Sequence, residues 1–130
     1  KWPEKEIVFH MVPVKGANRV ISCTIGPHGL IYALTDTAVI FAFDPVKREV
    51  LRTADLSEYG GVPRLSMHTG PDGNVYALMS GAVLKIKPDT LAHEKLGQPP
   101  TGVGNGGVLH EGILYYSSGS HVWSFDVPEL

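Results

Sequence analysis

The chain has 130 residues, 43% of them hydrophobic, which suits one domain with its own core. Its formal net charge is −2 and its 11 Lys and Arg are scattered, so neither nucleic acid nor an anionic membrane surface is an expected partner. No apolar run reaches the roughly 20 residues that span a bilayer. The single cysteine, Cys23, excludes disulfides within the chain and thiolate metal clusters, and its apolar setting in RVISCTI predicts a buried, inert thiol.

The elements follow a repeating order. Residues 1–17 contain EIVFHMVPV, a strand-like segment without partners in its own repeat. Residues 18–60 give RVISCTI, the turn GPHG, LIYAL, the polar turn TDT, AVIFAF, the turn FDP and EVLRTADL. Residues 61–100 give RLSMHT, GPDG, NVYAL, SG, AVLKI and HEKLG. Residues 101–130 give GGVLH, ILYYS, SGS and HVWSF, and stop after a third strand. These runs are short, rich in β-branched and aromatic residues, and bounded by Gly, Pro, Asp and Ser, as strands are. DPVKREVLRTADL also reads as a helix, with Asp as cap and Pro in the first turn, and PDTLAHEKLG reads similarly. Against this, FDP between two apolar runs is a sound hairpin turn.

Sliding the sequence by 44 residues lays Asn18–Pro45 over Val62–Asp89 with nine identities, including Gly26/Gly70, Pro27/Pro71, Gly29/Gly73 and Tyr32/Tyr76. A weaker third copy sets Gly112 on Gly73 and Tyr115 on Tyr76. A period of about 40–45 residues fits one four-stranded propeller blade. The fold class expected is therefore all-β, a β-propeller segment of about three four-stranded antiparallel blades. Several strands are apolar on both faces, as in Val39-Ile40-Phe41-Ala42-Phe43, which a sheet packed between two others requires. Three blades fall short of the usual four to eight. The half-ring is thus expected to be completed by a second copy or by absent sequence, with the N-terminal strand as a closing outer strand.

The run GPDGNVYAL, with its FDP and IKPDT turns, resembles blades of NHL, gluconolactonase-like and virginiamycin B lyase-like propellers and the turns of quinoprotein-type propellers. The resemblance implies a channel lined by the first strand of each blade. It also implies that both G-P-x-G turns lie on the bottom face, while the blade connections and second-to-third-strand turns lie on top. His28 and Asp72 are then turn residues.

The top face is expected to gather Arg19, Arg64 and Asn105 at the starts of first strands, with Asp36 and Ser118 in turns and His68 on a channel strand. Guanidiniums, amides and hydroxyls of this kind suit a carboxylate or a carbohydrate. The six histidines form no ligand spacing, so neither a metal nor a cofactor is expected. Acidic residues matching a gluconolactonase metal site are missing at the first-strand starts, and His110-Glu111, the one adjacent His-Glu pair, falls at a turn. The leading expectation is a non-enzymatic binding or scaffolding module engaging a ligand or protein at its top face. Its alternatives are part of a catalytic propeller, a carbohydrate lyase or a lactone or glycoside hydrolase whose other blades lie outside this sequence, and a purely self-associating half-ring.

Overall fold

A computed structural model describes residues 11–100 and 102–130. Its strands are β1 (Val20–Ile25), β2 (Ile31–Thr35), β3 (Val39–Asp44), β4 (Glu49–Asp55), β5 (Met67–Thr69), β6 (Val75–Met79), β7 (Ala82–Ile86), β8 (His93–Gly97), β9 (Asn105–His110), β10 (Ile113–Ser118) and β11 (His121–Asp126). They form three antiparallel meanders, β1 to β4, β5 to β8 and β9 to β11, each strand beside its sequence neighbour. The chain is all-β, and its sheets are blade-like and do not close. Among the described residues no helix is long and apolar enough to cross a membrane. The strand-like N-terminal segment falls mostly on residues 1–10, outside the described residues.

The helical alternative fails at β4, where burial alternates with period two and Val39↔Asp55 through Asp44↔Glu49 pair across the ladder. The preceding turn is held by the Asp44 carboxylate, which accepts from the Val46 and Lys47 amides at 2.9 and 3.1 Å. The structure corrects the reading of Cys23: the flanking Ser22 and Thr24 hydroxyls are turned to the second sheet, and Cys23, between them on the strand, is exposed.

The middle sheet organises the core. All five residues of β6 are fully buried. Val75, Ala77 and Met79 pack with Tyr32, Leu34, Ile40 and Ala42 of the first sheet. Tyr76 and Leu78 point the other way, packing with Leu114, Tyr116 and Phe125 of the third. Complete burial of an aliphatic or aromatic side chain contributes about 1.5–3 kcal/mol, so these two interfaces dominate the stability.

The repeated glycine and tyrosine are one device. A Cβ on Gly70 would lie 2.7 Å from the Tyr76 ring, and a Cβ on Gly26 would collide with Tyr32, so each ring occupies the space left by the glycine six residues earlier. The closing glycines, Gly29 and Gly73, have φ of 73° and 83°, which L-residues with a side chain adopt only at a cost. Asp72 is more than a tolerant turn residue. Its Oδ2 accepts from the Tyr76 hydroxyl at 2.6 Å and its Oδ1 from the Asn74 amide at 3.1 Å. Burial would raise its pKa, but the Tyr76 and Asn74 hydrogen bonds outweigh that and hold it below the usual carboxylate range. Burial and the Asp72 carboxylate push the Tyr76 phenol well up. His28, at the matching place, makes no such bond, and the Tyr32 hydroxyl donates across the sheets to the Pro88 carbonyl at 3.2 Å. In the third sheet the five-residue loop shrinks to Glu111-Gly112, with φ of 48° and 77°, the tight turn that matches strand twist.

The first two sheets are tied at their inner strands. The Met67 amide donates to Ser22 Oγ at 3.2 Å, the Thr24 and Thr69 hydroxyls are 2.9 Å apart, and the Thr69 hydroxyl donates to the Ile25 carbonyl at 2.8 Å. Ser66 is the repeat mate of Ser22, yet its Oγ is buried without a partner. Ser22→Ala is expected to lower stability by about 1 kcal/mol, through loss of one hydrogen bond and an orphaned amide. Ser66→Ala removes only an unsatisfied hydroxyl and is expected to be neutral or stabilising, as denaturant unfolding of both variants would show.

Candidate functional site

The two ends of the sheets carry different chemistry. At one end, the chain entering each sheet is fastened to that sheet's second-to-third-strand turn by a backbone hydrogen bond. The Asp36 amide donates to the Arg19 carbonyl at 3.0 Å, Ser80 to Gly61 at 3.0 Å, and Gly104 donates to Ser117 at 2.8 Å. The G-P-x-G turns lie at the opposite end, between first and second strands. This alternation follows from the meander itself, because successive hairpin turns must fall on opposite ends.

Arg19, Arg64 and Asn105 come from three different sheets' approaches, yet they line one open cavity of about 500 Å3. Val20, Ile21 and Leu65 complete its lining. Arg64 and Asn105 are held together by an isolated parallel bridge in which the Gly106 amide donates to the Arg64 carbonyl at 2.7 Å. Gly106 permits that approach, since a Cβ there would collide with the Leu65 carbonyl. Leu65 has φ of 57°, a left-handed conformation costing a leucine on the order of 1 kcal/mol, and it leaves the side chain 60% exposed beside the two arginines.

Asp36 supports this cavity from behind and does not line it. Its Oδ1 accepts from the Asn18 and Arg19 amides at 3.0 and 3.2 Å, fixing the backbone that carries Arg19. The Arg19 amide, and after a small opposing effect of burial the Asn18 amide, hold the carboxyl below its usual range. Among the described residues the charged side chains that line the cavity are Arg19 and Arg64, which makes it cationic. Ser118 pairs with His121 beside the tight Gly119-Ser120 turn and does not reach the cavity. His68 does not reach it either.

His68 stands in the middle of β5 opposite Tyr76, partly buried, with its Nε2 shut away from water and without a hydrogen-bond partner. Burial lowers its pKa, and the nearby Gly106 and Leu65 carbonyls only partly oppose this. The ring lies near the Gly106 and Leu65 backbone, beside the segment that presents Arg64 and Asn105. Among the described residues no three His, Cys, Asp or Glu side chains gather closely enough to hold a metal ion.

Sequence reasoning found the three polar residues of the cavity but missed its apolar part. Leu65 was legible only as an apolar residue before a strand, and nothing local signals its positive φ.

His68 makes stability depend on pH in a definite direction. Above about pH 6.5 the ring is neutral in folded and unfolded chains and contributes no slope. As pH falls below that value the unfolded chain takes up the proton first, so stability drops until the lower, folded pKa is passed. The slope from this one group is at most about 1.4 kcal/mol per pH unit. His68→Gln is expected to flatten the stability profile between pH 7 and 5, and an unchanged profile in denaturant titrations would contradict it.

The chain matches none of the known protein-family models and none of the curated proteins with which it was compared.

Proposed function

We propose that the protein is a propeller-type, non-enzymatic binding module whose end cavity takes a small anion-bearing ligand, a carboxylate or an acidic sugar. One observation carries this reading: Arg19, Arg64 and Asn105, brought from three separate sheets, line a single cavity. Guanidiniums donate to both oxygens of a carboxylate, and an amide adds a donor and an acceptor for a neighbouring hydroxyl. The apolar part of the lining, Val20, Ile21 and Leu65, offers contact for the carbon side of such a ligand. Among the described residues the lining includes no carboxylate, imidazole or thiol, so these residues offer no general base or nucleophile. Recognition is what its residues are equipped to do.

Both arginines are exposed, so each contributes modestly and the binding is screened by salt. Titration of isotopically labelled protein with glucuronate is expected to shift the amide signals of Arg19, Arg64, Leu65 and Asn105. Arg64→Ala is expected to weaken the interaction about tenfold, equivalent to about 1.4 kcal/mol, and raised salt to weaken it further. Shifts that are absent, or equal in Arg64→Ala, would refute the assignment.

A second feature supports an incomplete ring. Tyr32 and Tyr76 each face the next sheet and are buried, whereas Tyr115, third in the series, is only partly covered beside exposed Val108. At the far side, Ile31, Ala33, Phe41 and Phe43 line a shallow apolar hollow with Met11, Pro13 and Val20. Among the described residues the third sheet also has one strand fewer than the others, and none of them pairs with the β11 edge. These faces fit further blades of the same kind, supplied by a second copy or by the same polypeptide. Light scattering of the 130-residue chain is expected to show self-association, and a stable, well-behaved monomer would overturn this part of the proposal.

A further inference from the structure

The opposite end of the molecule holds a second cavity of about 510 Å3, lying between the first two sheets. Three turns build it. The first G-P-x-G turn contributes Pro27, His28 and Leu30, the second Asp72, Gly73 and Asn74, and the β7–β8 turn Pro88 and Asp89. Tyr32 and Arg52 form its inner part.

The inner part is pre-organised. The Pro88 carbonyl accepts from the Tyr32 hydroxyl at 3.2 Å and from Arg52 Nη1 at 3.1 Å, so one backbone oxygen locks both side chains. The Asp72 carboxylate is likewise fixed by Asn74 and Tyr76. His28 and Asp89 differ, since both are exposed and neither makes a hydrogen bond among the described residues. His28 also adopts φ of 61°, a conformation unfavourable for any residue with a Cβ by on the order of 1 kcal/mol. Asp72, at the same place in the second copy, does not have a positive φ. The strain therefore belongs to the turn that carries the imidazole, and strain of this kind concentrates at binding sites.

We propose that this cleft is a second binding site, separate from the arginine-lined cavity, and that its ligand is a neutral pyranoside. Pro27, Leu30 and Pro88 supply apolar surface for the C–H face of a sugar ring. Arg52 and Asn74 donate to ring hydroxyls, Asp89 and Asp72 accept from them, and His28 does either. The formal charge of the lining is −1, from Arg52 against Asp72 and Asp89, which disfavours the anionic ligand that suits the other end. A bare metal ion is disfavoured by geometry, since no three ligating side chains gather there or elsewhere among the described residues. What remains is a ligand with hydroxyls that both donate and accept and with one apolar face.

The test is a titration of isotopically labelled protein with methyl glucoside, methyl galactoside and methyl mannoside in turn. At least one is expected to shift the amide signals of His28, Gly29, Asp72, Gly73, Asn74 and Asp89, with a dissociation constant on the order of 1–10 mM. Glucuronate is expected to leave these signals alone at matched concentration, which keeps this outcome independent of the other site's. Asp89→Ala and His28→Gly are exposed changes, the second relieving the positive φ, and each is expected to weaken the glycoside about fivefold or more, roughly 1 kcal/mol, while the melting temperature holds or rises. The proposal is overturned if no glycoside shifts these signals at about 50 mM, roughly ten times the expected constant. It is equally overturned if the shifts fall elsewhere, or if both variants bind as the parent does.

Discussion

Strand β6 has no face toward water, and the rest of the structure depends on that constraint. Its five residues are fully buried, three against the first sheet and two against the third. A strand buried on one face tolerates polar residues at every second position, but this one cannot. Its neighbour β7 follows it at four of five positions, with Ala82, Leu84 and Ile86 on one side and Val83 on the other, while Lys85 is only partly buried. The only polar atom that β6 side chains carry into the core is the Tyr76 hydroxyl, and it reaches out to Asp72 at the sheet end. The turn aspartate is thus a consequence of two-sided burial: a buried hydroxyl without a partner costs about 1–3 kcal/mol.

Stacking sheets in this way leaves function to the ends. The faces are consumed by packing, so polar side chains collect where hairpins turn, and alternate turns are sent to opposite ends. One end is cationic because the charged side chains that line its cavity among the described residues are Arg19 and Arg64, with Asp36 holding the backbone behind them. The other carries Asp72, Asp89 and an imidazole around an anchored guanidinium. The scaffold is the same at both ends, and the different charge arises from which side chains the turns and strand starts present.

Much of this was legible in the sequence because the relevant signals are local. The G-P-x-G turns and the short β-rich runs each act within a few residues, and all the strands that they indicate between residues 18 and 130 form, whereas residues 11–14, the described end of the N-terminal run, are not in a strand. The helical reading of DPVKREVLRTADL was reasonable by local signals alone, but cross-strand pairing with β3 settled it as a strand. Cys23 lies in an apolar run that suggests burial, but on β1 it alternates with Ser22 and Thr24, which face the second sheet, and it is exposed. Asp72 and His28 looked interchangeable in the repeat, yet one binds a buried phenol and the other does not. That difference depends on where Tyr32 and Tyr76 send their hydroxyls, and the Tyr32 partner, Pro88, is 56 residues away.

Spacing and turn chemistry act along the chain, so the residues alone specify the strands, their order, the turns and the alternation of ends. Which polar residues meet is settled by packing between the sheets. Arg19, Arg64 and Asn105 share a cavity, while Ser118 and His68 stand apart from it, although all were equally plausible along the chain. The physical reason is that a site is made by distances between sheets, and these are fixed by side chains packing through the core. The G-P-x-G turns show the same division: their glycines are set by local backbone and ring packing, but the cleft between them exists only because two sheets are pressed together.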